Sequence, residues 1–307
     1  MGRESAEKQK NLLVLQSGRL KLTIQTHPYF NPVGLTDTKS GMAYADGSYI
    51  FSCRKPVLTD EPELRTEGGA VIAVFRAKAD GLLLRFTYEL PKDGDTLLER
   101  IELENDGEKP LSTKGFACGF CKRADAEKGR FCAVPFRHHT ETGELCDYTA
   151  EELFTKKNWF STMRNPMYNR KNSRDWGAEG WAWYGDGTAL LVAKYNPDDL
   201  EWSLLHPFRE KGEKRIRFGG AGRWKLGDPA TGLLLRPGER FSFGETVFRV
   251  VDGGWQEAYH AFQQYTESKG CVLSPKYVPP VNWNELYDNK YWDKAYDDKH
   301  TTAKKDL

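Results

Sequence analysis

The sequence predicts a mostly-β fold, in which large antiparallel sheets stack on one another and a single C-terminal helix closes the domain. Three features carry that prediction. Apolar and polar residues alternate with a period of two through most of the chain, turn-forming clusters separate the alternating runs, and the spacing becomes helical only near residue 254. More than ten strand-like runs without intervening amphipathic helices call for sheets packed face to face, not for βαβ units.

The early runs cover residues 12–16, 19–26, 49–53 and 70–78. In the run 82–90, Leu82, Leu84, Phe86, Tyr88 and Leu90 share one face, and Leu83, Arg85, Thr87 and Glu89 share the other. Pro91-Lys92-Asp93-Gly94-Asp95 follows as a turn, with proline fixing φ and Gly94 able to take a positive one. The next run sets Leu97, Ile101 and Leu103 against Leu98, Arg100, Glu102 and Glu104, which makes an antiparallel hairpin with one wet face. Later runs lie at 180–184, 189–195, 201–205, 214–218 and 240–251, with turn chemistry at 184–188 and 236–239. Gly219-Gly220-Ala221-Gly222 reads as a tight connection between strands, because Trp224 stands where a phosphate-binding helix would begin.

The stretch 123–175 interrupts the pattern: it is polar, carries His138 and His139, and offers only a short helix at 151–157. A long irregular excursion from a β-sandwich marks either a functional loop or plain surface. Near residue 255, Trp255, Ala258, Tyr259, Phe262 and Tyr265 recur at helical spacing, with Gly270 as the stop. That aromatic stripe is expected to pack on the core. A proline-rich linker, 271–280, separates the β domain, 1–270, from 281–307, where 281–288 reads as one new strand that cannot bury a core alone.

Composition narrows the function. The 307 residues are 39% hydrophobic and 29% charged, and 45 basic against 44 acidic residues leave a net charge of +1. A dedicated nucleic-acid binder would show a clustered basic excess. No apolar run approaches the roughly 18 residues needed to span a bilayer, so no membrane partner is expected. The charged N-terminus lacks an apolar signal core, and Ala6 stands where myristoylation wants a hydroxyl, so a cytoplasmic location is expected. Among six cysteines only Cys118 and Cys121 have CxxC spacing, with no second pair to complete a zinc site. No Walker loop, GxSxG elbow or HExxH helix occurs, and no cofactor or metal is expected.

Nine Trp and 14 Tyr residues suit the stacking of sugar rings, although aromatics are also the ordinary filling of a β core. Trp159 and Trp176, which flank the polar excursion, are the aromatic candidates for sugar contact. No local spacing identifies the carboxylate pair that glycoside hydrolysis requires. His27-Pro28-Tyr29-Phe30-Asn31 resembles a short His-x-Tyr-Phe-Asn stretch of aldose 1-epimerases, in which such a His passes protons during sugar-ring opening.

A broader resemblance lies in the second half. The segments 217–225 (Arg-Phe-Gly-Gly-Ala-Gly-Arg-Trp-Lys) and 235–245 (Leu-Arg-Pro-Gly-Glu-Arg-Phe-Ser-Phe-Gly-Glu), the 255–265 helix, and 279–288 (Pro-Pro-Val-Asn-Trp-Asn-Glu-Leu-Tyr-Asp) resemble the amino-terminal domain of glycoside hydrolase family 36 α-galactosidases and their melibiase-like relatives. The resemblance implies a β-supersandwich, a linking helix, and then the first strand of a (β/α)8 barrel cut short after 281–288. It places Trp283 and Glu285 near the sugar subsite; Asp288, with Glu285, sits at the end of that strand, the face on which a barrel binds substrate. The resemblance carries over no catalytic residue, because the family's catalytic aspartates come from later barrel strands. The implied role is a non-catalytic domain that supports the barrel, shapes the substrate entrance for α-galactoside-type carbohydrate and offers a surface for a homo-oligomer. Two alternatives stay open: a stand-alone carbohydrate-binding module, and an epimerase-like enzyme using His27.

Overall fold

The computed structural model describes residues 5–9, 11–113, 116–125, 127–135, 146–156, 176–196, 201–222 and 234–272. The chain opens with a five-stranded antiparallel meander in chain order: β1 (Ser5–Gln9), β2 (Leu12–Ser17), β3 (Leu20–Gln25), β4 (Asn31–Asp37) and β5 (Ala43–Ala45). It continues with β6 (Ile50–Phe51), β7 (Val57–Leu58), β8 (Glu63–Glu67), β9 (Ala70–Ala79), β10 (Leu82–Leu90), β11 (Thr96–Asn105), β12 (Leu111–Ser112) and β13 (Cys118–Arg123). Then come β14 (Arg130–Val134), β15 (Asp147–Thr149), α1 (Ala150–Thr155), β16 (Trp176–Ala178), β17 (Gly180–Gly185), β18 (Thr188–Tyr195), β19 (Ser203–Glu210) and β20 (Glu213–Ala221). The described part ends with β21 (Leu234–Leu235), β22 (Arg240–Ser242), β23 (Glu245–Asp252) and α2 (Trp255–Ser268).

Two sheets make the body of the sandwich. An 11-stranded sheet runs β15-β14-β17-β18-β23-β11-β10-β9-β7, with β22 also on β11 and β8 also on β9. Facing it is a five-stranded sheet ordered β16-β19-β20-β13-β6. The alternation in β10 and β11 decides which side chains meet between them. Leu84, Phe86, Tyr88, Ile101 and Leu103 point inward and are buried, while Arg85, Thr87, Arg100, Glu102 and Glu104 point outward. The inward set meets Phe30, Phe75, Phe120, Phe218 and Phe248 in one continuous aromatic core.

The N-terminal meander is tied to the main sheet by polar contacts. Arg19 forms a two-pronged ion pair with buried Asp37 (2.8 and 2.9 Å), and its remaining terminal nitrogen reaches Asp252 at the end of β23 (2.8 Å). The Arg19 and Leu20 amides both donate to the Gly94 carbonyl in the β10–β11 turn. On the opposite face, α2 lays Ala258, Ala261 and Tyr265 over Ala182, Leu191, Ala193 and Val247. The helix extends over 14 residues, with Glu257 accepting the Gly254 amide at its start (2.7 Å).

Several expectations change. The excursion 123–175 is partly sheet, because β14 and β15 extend the 11-stranded sheet; their partners are distant β17 and each other, so no local pattern marks them. The run 240–251 is two strands. Ser242 faces Glu102, yet Thr246 faces Glu99, so one extra residue bulges at Phe243-Gly244. The glycines at 219–222 are not a connection: Gly219 and Gly220 lie inside β20, against β13. The run 49–53 reduces to two paired residues, and β4 and β8 are additional strands. By contact density the chain divides into two units, 1–269 and 270–307; the expected strand 281–288 and all of 273–307 lie outside the described residues.

The register of β10 is directly testable. Phe86→Ala should cost about 3–5 kcal/mol in urea unfolding, whereas its neighbour Arg85→Ala should shift stability by about 0.5 kcal/mol or less. Equal effects would mean that the strand faces are assigned the wrong way round.

Candidate functional site

The apolar inner face of β11 carries one carboxylate, Glu99, which is only 1% exposed. Its Oε1 accepts the hydroxyls of Tyr49 (2.9 Å) and Tyr88 (3.0 Å), and its Oε2 accepts the Gly220 amide from the facing sheet (2.8 Å). That amide is available because β20 departs from regular pleating at Gly220, where φ is +68° and a Cβ would sit 2.0 Å from the Cys118 carbonyl oxygen. Burial lifts the Glu99 carboxyl above its ordinary range, against the Tyr49 hydroxyl and the charge of Lys194. Cross-strand pairing aligns Tyr88, Glu99, Thr246 and Lys194 in one row over β10, β11, β23 and β18. The Lys194 ammonium donates to the Gly220 carbonyl (2.6 Å) and Thr246 Oγ1 (3.1 Å), and lies 3.5 Å from Glu201.

Glu201 links this interior row to the outer face. Its Oε1 accepts the Gly222 amide (3.2 Å), and its Oε2 accepts the amide of Gly244 in the β22–β23 bulge (2.5 Å). A Cβ at Gly244 would fall 2.6 Å from that of Asn196, so only glycine lets the bulge approach so closely. Asn196 in turn brackets the Glu201 backbone with its side-chain amide at 3.0 Å on both sides.

Above the bulge, on the outer face of the large sheet, lies a cleft of about 600 Å³. Half-buried Tyr195 and Phe241 supply its aromatic surfaces, and Arg100, Asn196, Glu245 and Lys269 its polar ones. Glu245 is held on all sides: Oε2 accepts Arg100 Nε (2.6 Å), while Oε1 accepts the Tyr265 hydroxyl and the Lys269 ammonium (both 2.7 Å). Burial would raise its carboxyl, but the bonds from Lys269 and Tyr265 and the charge of Arg100 outweigh that and hold it below the ordinary carboxylate range. Arg100 also pairs with Glu89 (2.8 Å). Such a surface offers fixed charges, ring faces and an amide; its central carboxylate is an engaged anion and not a poised acid.

Of the predicted sugar-binding residues only Trp176 falls among the described residues. Trp176 is a core residue, 1% exposed, with its indole N–H on the Leu153 carbonyl (3.0 Å) and its ring against Tyr148. β16 is an edge strand of the five-stranded sheet and sets the Trp176 ring against α1 and β15, closed to solvent. Trp159, Trp283, Glu285 and Asp288, like His138 and His139, lie outside the described residues. His27 is exposed in the β3–β4 connection and does not line the cleft. Cys118 and Cys121 are buried free thiols, and burial with the nearby Glu99 pushes Cys118 up to about 12. Among the described residues no cluster of His, Cys, Asp and Glu is placed to hold a metal, and no helix is long and apolar enough to cross a membrane. The cleft residues were missed because β18, β22, β23 and the end of α2 meet only in the folded chain. Glu99 did have a signal, since parity sets it with Leu97 and Ile101.

No family model matches the sequence, and no curated protein matches it. Solved structures do. A TPR-domain containing protein from Parabacteroides distasonis superposes with a TM-score of 0.51 at 12% identity, over 88% of this chain and 50% of that one. A GH36 α-galactosidase from Geobacillus stearothermophilus gives 0.49 at 13% identity, over 82% of this chain and 41% of that one. A putative aldose 1-epimerase from Escherichia coli K12 gives 0.44 at 12% identity, over 78% of this chain and 99% of that one. At such identities the likeness is one of fold, and it rests on the Parabacteroides structure. The chain spans half of that protein's length and about two fifths of the galactosidase's.

Because the Glu245 carboxyl is depressed in the folded state, its contribution to stability is present at neutral pH and fades as pH falls through that depressed value. Glu245→Gln should cost about 2 kcal/mol in urea unfolding at pH 7. The gap to wild type should close as the carboxylate range is passed; a gap that stays constant down to acid pH would refute the ion-pair assignment.

Proposed function

We propose that this chain is a non-catalytic carbohydrate-contacting domain of an α-galactosidase-type glycosidase, with the outer cleft as its sugar-facing surface. The observation that carries the reading is the state of Glu245. A hydrolase needs one carboxyl ready to give a proton and a second held across the bond. Glu245 is instead locked by Arg100, Tyr265 and Lys269 beside the aromatic surfaces of Tyr195 and Phe241. Fixed anions and guanidinium groups suit the hydroxyls of a sugar, and the rings suit its C–H faces. The family reading is supported by the likeness of the segments 217–225 and 235–245, of which 217–221 end β20 and 241–245 form the β22–β23 side of the cleft wall. In the parent enzyme this domain would support the barrel and shape the entrance for α-galactoside-type substrates, and it would contribute to a homo-oligomer.

Calorimetry with raffinose and melibiose is the test. The chain should bind one or both without releasing galactose, and Tyr195→Ala should weaken binding by about tenfold, in line with the loss of one stacking ring. An absence of binding to either sugar, or release of galactose by this chain, would overturn the reading.

A further inference from the structure

On the same outer face, three arginines gather at one groove, two of them where like charges should avoid one another. Arg76 of β9 and Arg85 of β10 are direct cross-strand partners, and both are exposed. Directly opposed like charges destabilise a sheet. Arg240 of β22 adds a third guanidinium at the same groove, which encloses about 220 Å³ over Leu83. Each arginine has one carboxylate neighbour: Arg76 with Glu63 (3.3 Å), Arg85 with Glu102 (3.2 Å) and Arg240 with Glu104 (2.8 Å). Each of these pairs engages one guanidinium nitrogen, so the other donors of the three forks have no acceptor among the described residues. The three carboxylates balance the three charges, and exposed pairs of this kind contribute little to stability, so the fold does not account for the crowding of guanidinium groups.

The groove adjoins the sugar-facing cleft, for Arg85 and Glu102 line both. The row Arg76, Arg85, Glu102 and Ser242 crosses four strands in register. At ordinary strand spacing it covers about 15 Å, room for more than one sugar ring. Planar guanidinium forks match the oxygens of a carboxylate, sulfate or phosphate, and several together bind such a group far better than one.

We propose that Arg76, Arg85 and Arg240 form an oxyanion subsite that receives a carboxylate, sulfate or phosphate group borne by a saccharide lying in the adjoining cleft. The saccharide part rests on the carbohydrate reading above; the oxyanion subsite stands on the arginine geometry alone. The subsite would make the domain select acidic over neutral oligosaccharides, with an affinity that falls as salt rises.

The test is calorimetry on the full chain at low salt with three probes: trigalacturonate, neutral raffinose and inorganic phosphate. Trigalacturonate should bind about tenfold or more tighter than raffinose. The combined Arg76→Gln and Arg240→Gln variant, at the two arginines that do not line the cleft, should lose that preference while keeping the wild-type Tm and raffinose affinity, and Arg76→Gln alone should lose part of it. Equal affinity for the acidic and neutral sugars, or a preference retained by the double variant, would overturn the proposal. Inorganic phosphate binding as tightly as trigalacturonate would remove its saccharide half. Arginine-dependent binding of trigalacturonate without binding of raffinose or melibiose would leave the subsite standing and sink the α-galactoside reading, whereas raffinose binding without an acidic preference would do the reverse.

Discussion

Glu99 is the constraint around which the sandwich is arranged. A carboxylate that is 1% exposed must find hydrogen-bond donors, and its three come from three separate parts of the chain: Tyr88 on the neighbouring strand, Tyr49 beyond the N-terminal meander, and the Gly220 amide of the facing sheet. Losing any of them leaves a buried acceptor short of a partner, so the two sheets are locked in one relative position. The cost is a distorted strand: β20 takes positive φ at Gly219 and Gly220, where any side chain would collide with Phe248 or with β13. Lys194 bonds the Gly220 carbonyl and lies near Glu201, which bonds the Gly244 bulge, so the interior charge network continues through to the surface.

The outer face follows from the same register. Once Glu99 and Ile101 point inward, Arg100 and Glu102 must point outward, and antiparallel pairing sets Arg85 and Ser242 beside Glu102. The β22–β23 bulge, seated by Glu201, leaves Phe241 half-buried at the cleft and Glu245 facing Arg100. Helix α2 completes the wall, because Tyr265 and Lys269 at its end both reach Glu245. The cleft is thus built from rigid strands and one helix end, the kind of support that holds polar groups for recognition without conformational cost.

Local signals made the frame readable. The faces of β10 and β11, the intervening turn at Gly94 and the helix from Trp255 all follow from two- and 3.6-residue periods. What could not be read depends on distant partners. β14 pairs with β17 some fifty residues later, the bulge at Phe243-Gly244 requires Glu201, and Gly220 takes its conformation from a contact with Cys118. Trp176 was a fair surface candidate by composition, but its place between α1 and the sheet core is a tertiary fact. Glu99 was readable by parity alone: a lone carboxylate on an otherwise apolar strand face marks a buried polar node.

On the function proposed above, sugar meets the exterior of the large sheet, not its interior or the β3–β4 connection. A crystal structure of the full chain soaked with an oligosaccharide tests it most directly. Intact sugar is expected over Tyr195 and beside Arg85, with Glu245 still bonded to Arg100 and Lys269. Sugar lodged between the sheets at Lys194 and Glu99, or held at His27, would contradict it.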